Sequence, residues 1–250
     1  MVYALETPHE RAAAAKYLEK DFYPNLNARN YLANVAGAKI YAYGGRAEHG
    51  VIVAGERVFL ATRSAEFMAD WWDAQPGGFY FFVGVPTDIA ELFLRGKRAE
   101  FRSPCEVYAL KGEPPVPDGR PCESLLPEDA EEVDLHYTYR HEGSLETLRG
   151  DIMSQESACV RIGGELAAWC MVHGDDGSLG PLYTKEKFRR QGLGERVSAD
   201  VVRKQKARGR IPFAHIVEGN APSLALAGKF AGMERTHSCI WFGVEKYGEL

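Results

Sequence analysis

The chain has 250 residues, 26% of them charged and 45% hydrophobic, a balance that excludes wholesale disorder and fibrous designs. Its formal net charge of -5 gives no overall attraction for polyphosphate, so nucleic acid is not an expected partner. The five cysteines form no CxxC pair and no Cys/His cluster at zinc-like spacing; they read as buried reduced thiols, and no metal is expected.

Met1-Val2-Tyr3-Ala4-Leu5-Glu6 shows no basic region followed by an apolar run, and no stretch approaches bilayer-spanning length. A cytoplasmic location without membrane contact is therefore expected. Thr7-Pro8-His9-Glu10 predicts a helix start, because Thr7 can accept from the Glu10 amide, Glu10 can reach back, and Pro8 needs no amide hydrogen there. That helix should run to about Leu18, with a second near Asn27 to Val35. Short β-rich runs follow at Lys39 to Tyr43, Gly50 to Ala54 and Arg57 to Thr62, punctuated by glycines, which is the pattern of an antiparallel meander. Next come a helix at Ala65 to Asp73, the apolar run Phe79 to Val83, a helix opened by Pro86-Thr87-Asp88, and a strand near Cys105 to Leu110. The aromatic residues Trp71, Trp72, Phe79, Tyr80, Phe81 and Phe82 read as core through alternating burial.

The segment Lys111 to Pro121 is crowded with proline and glycine, which break helices and weaken ladders, so an extended connection is expected. It divides the chain into an N-terminal domain at 1–111, a linker at 112–121 and a second domain at 122–250. In the second domain Leu126-Pro127-Glu128-Asp129-Ala130 opens an acidic-start helix, and another helix covers Ser144 to Ser154. Strands are expected at Ala158 to Ile162, Glu165 to Val172 and Ser178 to Thr184. A helix at Leu193 to Ala207, a strand at Pro212 to Val217, a helix after Asn220 and a strand near Ser238 to Val244 complete the chain. This order repeats that of the first half.

The strongest chemical signal is the strand end Leu182-Tyr183-Thr184, a short polar loop, and Arg189-Arg190-Gln191-Gly192-Leu193-Gly194 running into an amphipathic helix. Glycines let backbone approach a phosphate, and unpaired first-turn amides at the positive end of a helix favour paired negative charges. Arg189 or Arg190 can add a charge-assisted contact. The third glycine and downstream acid of a dinucleotide fold are missing, as is the Gly-Lys-Ser/Thr of a nucleotide-triphosphate loop. The first half enters its corresponding helix through Thr62-Arg63-Ser64 with no glycine, so one coenzyme site is expected.

Arg189-x-x-Gly192-x-Gly194 resembles the pyrophosphate loop of the GNAT superfamily of acyltransferases, Gln/Arg-x-x-Gly-x-Gly/Ala. The likeness extends through Gly177 to Thr184 before the loop and His215 to Ser223 after it. Trp169-Cys170 and the Tyr183-Thr184 strand end look like the glycine N-acyltransferase branch, in which a degenerate N-terminal half precedes a catalytic half. The fold class this implies is α+β: two GNAT-like units, each a mixed, mostly antiparallel sheet flanked by helices.

The resemblance further implies an acyl-CoA cosubstrate, acetyl-CoA above all, with its pyrophosphate at Arg189 to Gly194. Its thioester arm would lie along Leu182, Tyr183 and Thr184, and Asn220 would meet its pantetheine end. The acceptor would be a small amine, an amino acid or an exposed amino group, acylated by direct attack. Such relatives often carry a tyrosine acid in the last helix, but Leu226-Ala227-Gly228-Lys229 stands here. The base position early in the fourth strand falls near Ser178, which leaves Glu218 and Asp176 as the carboxylates to test as base or relay anchor. His173, His215 and His237 read as structural histidines. Two other readings stay open: a non-catalytic acyl-CoA sensor, and an assembly scaffold in which an exposed edge strand builds a homodimer.

Overall fold

The computed structural model describes residues 1–114, 121–230 and 232–247; of the expected linker at 112–121, residues 115–120 lie outside the described residues. The first elements are β1 (Val2–Ala4), α1 (Pro8–Leu18), α2 (Leu26–Asn34), β2 (Lys39–Tyr43), β3 (Val51–Ala54) and β4 (Val58–Ala61). They are followed by α3 (Ala65–Asp73), β5 (Gly78–Pro86), α4 (Thr87–Phe93) and β6 (Phe101–Leu110). Then come α5 (Ala130–Leu135), α6 (Ser144–Ser154), β7 (Ser157–Ile162), β8 (Glu165–Val172) and β9 (Leu179–Thr184). The last are α7 (Leu193–Ala207), β10 (Phe213–Val217), α8 (Ala221–Lys229) and β11 (Met233–Lys246).

The helix-start reading at Thr7 holds in detail. Thr7 accepts from the Glu10 amide at 3.3 Å while the Glu10 carboxylate takes the Thr7 amide at 2.9 Å. These bonds hold the Glu10 carboxyl below its usual range. The acidic start at Pro127 to Asp129 is a 3-10 turn, and the α-helix begins only at Ala130. The sequence reading missed β1, a three-residue strand too short to show a period, which pairs antiparallel with β2.

The strands form two sheets. One has the order β1-β2-β3-β4-β5-β11-β6-β10, the other β7-β8-β9. In the larger sheet β11 runs antiparallel to β5, with Phe242 opposite Phe82. The closing strand of the second half thus pairs with the first half's β5, while the first half's β6 lies between β11 and β10. Accordingly one compact unit consists of Met1–Val107 with His215–Asn220 and the chain from Thr236, and the other of Tyr108–Ala214 with Ala221–Arg235.

In the first unit strand alternation builds two cores. Ile52, Val58, Leu60 and Phe82 face α3 and α4, meeting Phe67, Trp71 and Phe93. Val51, Val53, Phe59 and Val83 face the other way, toward Ala14, Leu18 and Tyr31 of α1 and α2. Trp71 and Phe82 are fully buried, as read from the sequence, but Phe79 is 53% exposed. It lies near the start of β5, its ring 6.5 Å from that of Phe101, on the face that alternation shares with Phe81 and Val83.

The second unit repeats this plan around β7-β8-β9. Cys159, Trp169 and Met171 pack against Val133 of α5 and Leu148 and Ile152 of α6. Ala158, Ala168, Cys170 and Val172 pack against Val197 and Val201 of α7. Burial pushes the Cys170 thiol up to about 12 and the Cys159 thiol up to about 11. All five cysteines are free thiols. Among the described residues no helix is long and apolar enough to cross a membrane.

Candidate functional site

The candidate site lies in the second unit, where β9 passes into α7. After Thr184 the chain makes a 3-10 turn, Glu186–Phe188. Arg189 leaves it extended (φ -66, ψ 162), Arg190 takes the left-handed φ of 63, and Gly192 is left-handed again at φ 73, ψ 3. An αL residue other than glycine is uncommon, so the loop stores some strain at Arg190.

Gly192 occupies the cap position of α7 and, having no side chain, offers no oxygen to the helix. The first ladder bond runs from the Arg196 amide to the Gly192 carbonyl at 3.0 Å. The amides of Leu193, Gly194 and Glu195 stand before it and have no carbonyl a turn earlier to bond. A Cβ on Gly192 would meet nothing within 4 Å, so open space lies beside these amides. A Cβ on Gly194 would lie 3.4 Å from the Thr184 hydroxyl, so a larger side chain there would fill the space between helix and strand. Three such donors stand at the positive end of a 15-residue helix, a cradle-like arrangement that suits an anion.

The two arginines of the loop differ. Arg189 donates from Nε to the Thr184 carbonyl at 3.1 Å, reaches Glu186 at 3.5 Å and lies 5.9 Å over the Tyr183 ring. It ties the loop to its strand. Arg190 and Gln191 are exposed, and among the described residues neither side chain has a hydrogen-bond or ionic partner. Arg190 therefore carries the guanidinium left to meet an anion.

β9 is paired with β8, Trp169 opposite Tyr183 and Cys170 opposite Leu182, and among the described residues the other edge of β9 carries no strand of its sheet. Leu182 packs toward α7, whereas Tyr183 turns to the opposite face, 5.1 Å from Trp169 and stacked at 4.6 Å on His136. His136 was not singled out in the sequence, because it has no motif spacing to Tyr183, 47 positions on. Lys185, next after β9, joins Glu132 at 2.6 Å and Glu165 at 3.1 Å. Lys187 and Lys185 hydrogen-bond Glu165 and hold its carboxyl below the usual range.

The remaining candidates are more scattered. Asp176 is fully buried in the β8–β9 turn, its Oδ1 accepting from the Ser178 amide at 2.9 Å and hydroxyl at 2.7 Å. Glu218 and Asn220 belong to the first unit and are exposed. The Glu218 amide donates to the Pro104 carbonyl at 2.9 Å, and the Asn220 amide to the Val217 carbonyl at 3.0 Å, just before α8. Among the described residues no group of three or more His, Cys, Asp or Glu is placed to hold a metal ion.

Residues 159–242, which include the cradle, match the family model described as FR47-like protein. No curated protein matches. Among solved structures, a Drosophila protein superposes over 97% of this chain and 98% of its own, with 21% identity and a TM-score of 0.77. A GCN5-related N-acetyltransferase from Sphaerobacter thermophilus covers 99% of this chain and 97% of its own, at 16% identity and TM-score 0.58. A tandem GNAT protein from the clavulanic acid biosynthesis pathway matches over the full length of both chains, at 12% identity and TM-score 0.55. These likenesses define the class at the level of fold: an α+β chain of two GNAT-like units, as expected from the sequence.

Proposed function

We propose that the protein is an acyl-CoA-dependent N-acyltransferase that binds its donor through the second unit. The observation that carries this reading is the start of α7: among the described residues, three unpartnered amides, a glycine cap and an exposed arginine stand beside a strand with an open edge. Two adjacent phosphates match that donor set, and the open edge of β9 offers amides and carbonyls to the amide-rich pantetheine arm. The FR47-like match over 159–242 and the GNAT fold support the same reading. The full-length match to a tandem GNAT protein supports a chain of two GNAT-like units, and the placement near the glycine N-acyltransferases rests on Trp169-Cys170 and the Tyr183-Thr184 strand end.

In this reading the amides of Leu193, Gly194 and Glu195 hold the pyrophosphate, with Arg190 adding charge from solvent. Leu182, Tyr183 and Thr184 align the arm, so that a bound donor presents its carbonyl in one orientation to an incoming amine. The acceptor is an amine, free or on a peptide, and acetyl-CoA is the first donor to test.

The sensor reading has one observation in its favour: α8, Ala221–Lys229, contains no tyrosine to protonate a leaving thiolate. Free-thiol release from acetyl-, propionyl- and benzoyl-CoA across a panel of amines separates the two. Amine-dependent thiol release supports the transferase. Tight coenzyme binding without turnover on any amine would favour the sensor.

A further inference from the structure

Resting on the transferase reading, we infer that His173, oriented by Asp151, is the group that takes the proton from the attacking amine. All the elements involved belong to the second unit. His173 follows β8, and strand alternation puts it on the face of Trp169 and Met171, the face covered by α5 and α6. Its Nδ1 stands 3.7 Å from Asp151 Oδ2, and the two side chains are only 17% and 13% exposed. That separation is longer than a hydrogen bond, and catalytic contacts of this kind commonly tighten when substrate binds.

Two glycines shape the pair. The Gly174 amide donates to Asp151 Oδ1 at 3.0 Å, and a Cβ on Gly174 would come within 2.5 Å of that oxygen. Only glycine lets the carboxylate seat there. On the other side a Cβ on Gly180 would lie 3.2 Å from His173 Nε2, so the ring's far nitrogen faces the bare backbone of β9. Among the described residues Nε2 has no hydrogen-bond partner. A carboxylate beside Nδ1 favours the tautomer with its proton there, which leaves the Nε2 lone pair as an acceptor. Tyr137, from the α5–α6 connection, also lies against the ring, at 6.4 Å.

The position suits the chemistry. Gly180 and Thr184 lie on the same strand, and at the usual rise per residue the strand runs about 13 Å from one to the other. An arm laid along β9 from the cradle therefore carries its thioester toward His173. The amine nitrogen bonds to the thioester carbonyl carbon and the carbon–sulfur bond breaks. The proton lost by nitrogen goes to Nε2 and on to solvent, while sulfur leaves as thiolate and is protonated from solvent. Nothing is oxidised or reduced.

Two measurements on the full chain test this. In the unliganded protein with 15N-labelled histidine, the neutral ring of His173 is expected to carry its proton on Nδ1. Asp151→Asn should redistribute that tautomer, and Asp151→Glu should restore it in part. In turnover, His173→Gln should lower kcat about 100-fold or more, with CoA affinity by calorimetry within twofold of wild type. His173→Asn provides a second variant should Gln perturb folding. A neutral ring protonated on Nε2, or an active wild type whose His173→Gln variant keeps its rate, would overturn the role of His173 alone. A wild-type chain that acylates no amine would overturn the transferase reading and this step with it, whichever tautomer the spectrum shows.

Discussion

The chain passes from β4 into α3 in the first unit and from β9 into α7 in the second, and the two helix starts are built in opposite ways. At α3 the cap is Ser64, whose hydroxyl takes the Phe67 amide at 3.2 Å. Its neighbour Arg63 is held by Asp88 at 3.0 Å and Asp21 at 3.3 Å. The cavity lined by Thr62, Arg63, Asp21 and Tyr17 has about 20 Å³, room for about one water and none for a pyrophosphate. At α7 the cap is glycine, the amides are left over, and Arg190 faces solvent. A helix end that satisfies itself contributes to stability, whereas one left unsatisfied keeps its donors for a ligand.

The largest expected effect comes from closing the second start. Gly192→Asp or Gly194→Asp should weaken CoA binding at least 100-fold by calorimetry, because each puts a carboxylate and its bulk at the amides meant for phosphate. Gly192→Asp is the cleaner variant, since open space surrounds its Cβ and aspartate tolerates the left-handed conformation better than most residues. Folded mutants with unchanged affinity would remove the cradle from the account.

A smaller effect distinguishes the arginines. Arg190→Ala should weaken CoA binding about fivefold, less so at high salt, as befits an exposed charge near phosphate. Arg63→Ala should leave affinity unaltered, since its guanidinium serves Asp88 and Asp21. Equal losses from both would mean that the two starts share the ligand.

Ser64→Ala should cost about 1 kcal/mol in urea denaturation through loss of the cap, with no change in CoA affinity. Gly192→Ala should also lower stability, since alanine is strained at a left-handed φ of 73. A stability loss at Ser64 near zero would show that the hydroxyl does not cap α3.

A pH-dependent effect lies in two buried thiols of the second unit, Cys170 on the α7 face of its sheet and Cys159 on the opposite face. The buried Cys170 and Cys159 thiols bind protons up to about pH 12 and 11, against about 9.0 for an unperturbed thiol. Their folded values are raised, so their contribution is fully present below about pH 9 and declines as pH rises through that window. Cys170→Ala should flatten the alkaline loss of stability measured by denaturant titration. An unchanged slope would show that Cys170 does not titrate with unfolding.

The α7 start was legible in the sequence because its determinants are local. Gly192 and Gly194 punctuate it, and Val197, Val201 and Val202 mark its buried face, so the expected span Leu193 to Ala207 is the observed one. The pairing of β11 with β5 was not legible, since apolar alternation says that a strand is half-buried but does not name its neighbour. β11 also begins at Met233 rather than near Ser238, because Glu234, Arg235, Thr236 and His237 hide its first turns of the ladder behind polar side chains. The approach of Asp151 to His173 spans 22 positions and two elements, and only the fold brings them together. Asp176 stands just before β9 and is fully buried, and in sequence a buried turn carboxylate and a solvent-facing base look alike.

The most direct measurement is a crystal structure of the full chain with acetyl-CoA. The account predicts the pyrophosphate on the amides of Leu193, Gly194 and Glu195, the pantetheine arm along the open edge of β9, and nothing at the start of α3. A pyrophosphate seated at Ser64 and Arg63, or held away from both helix starts, would contradict it.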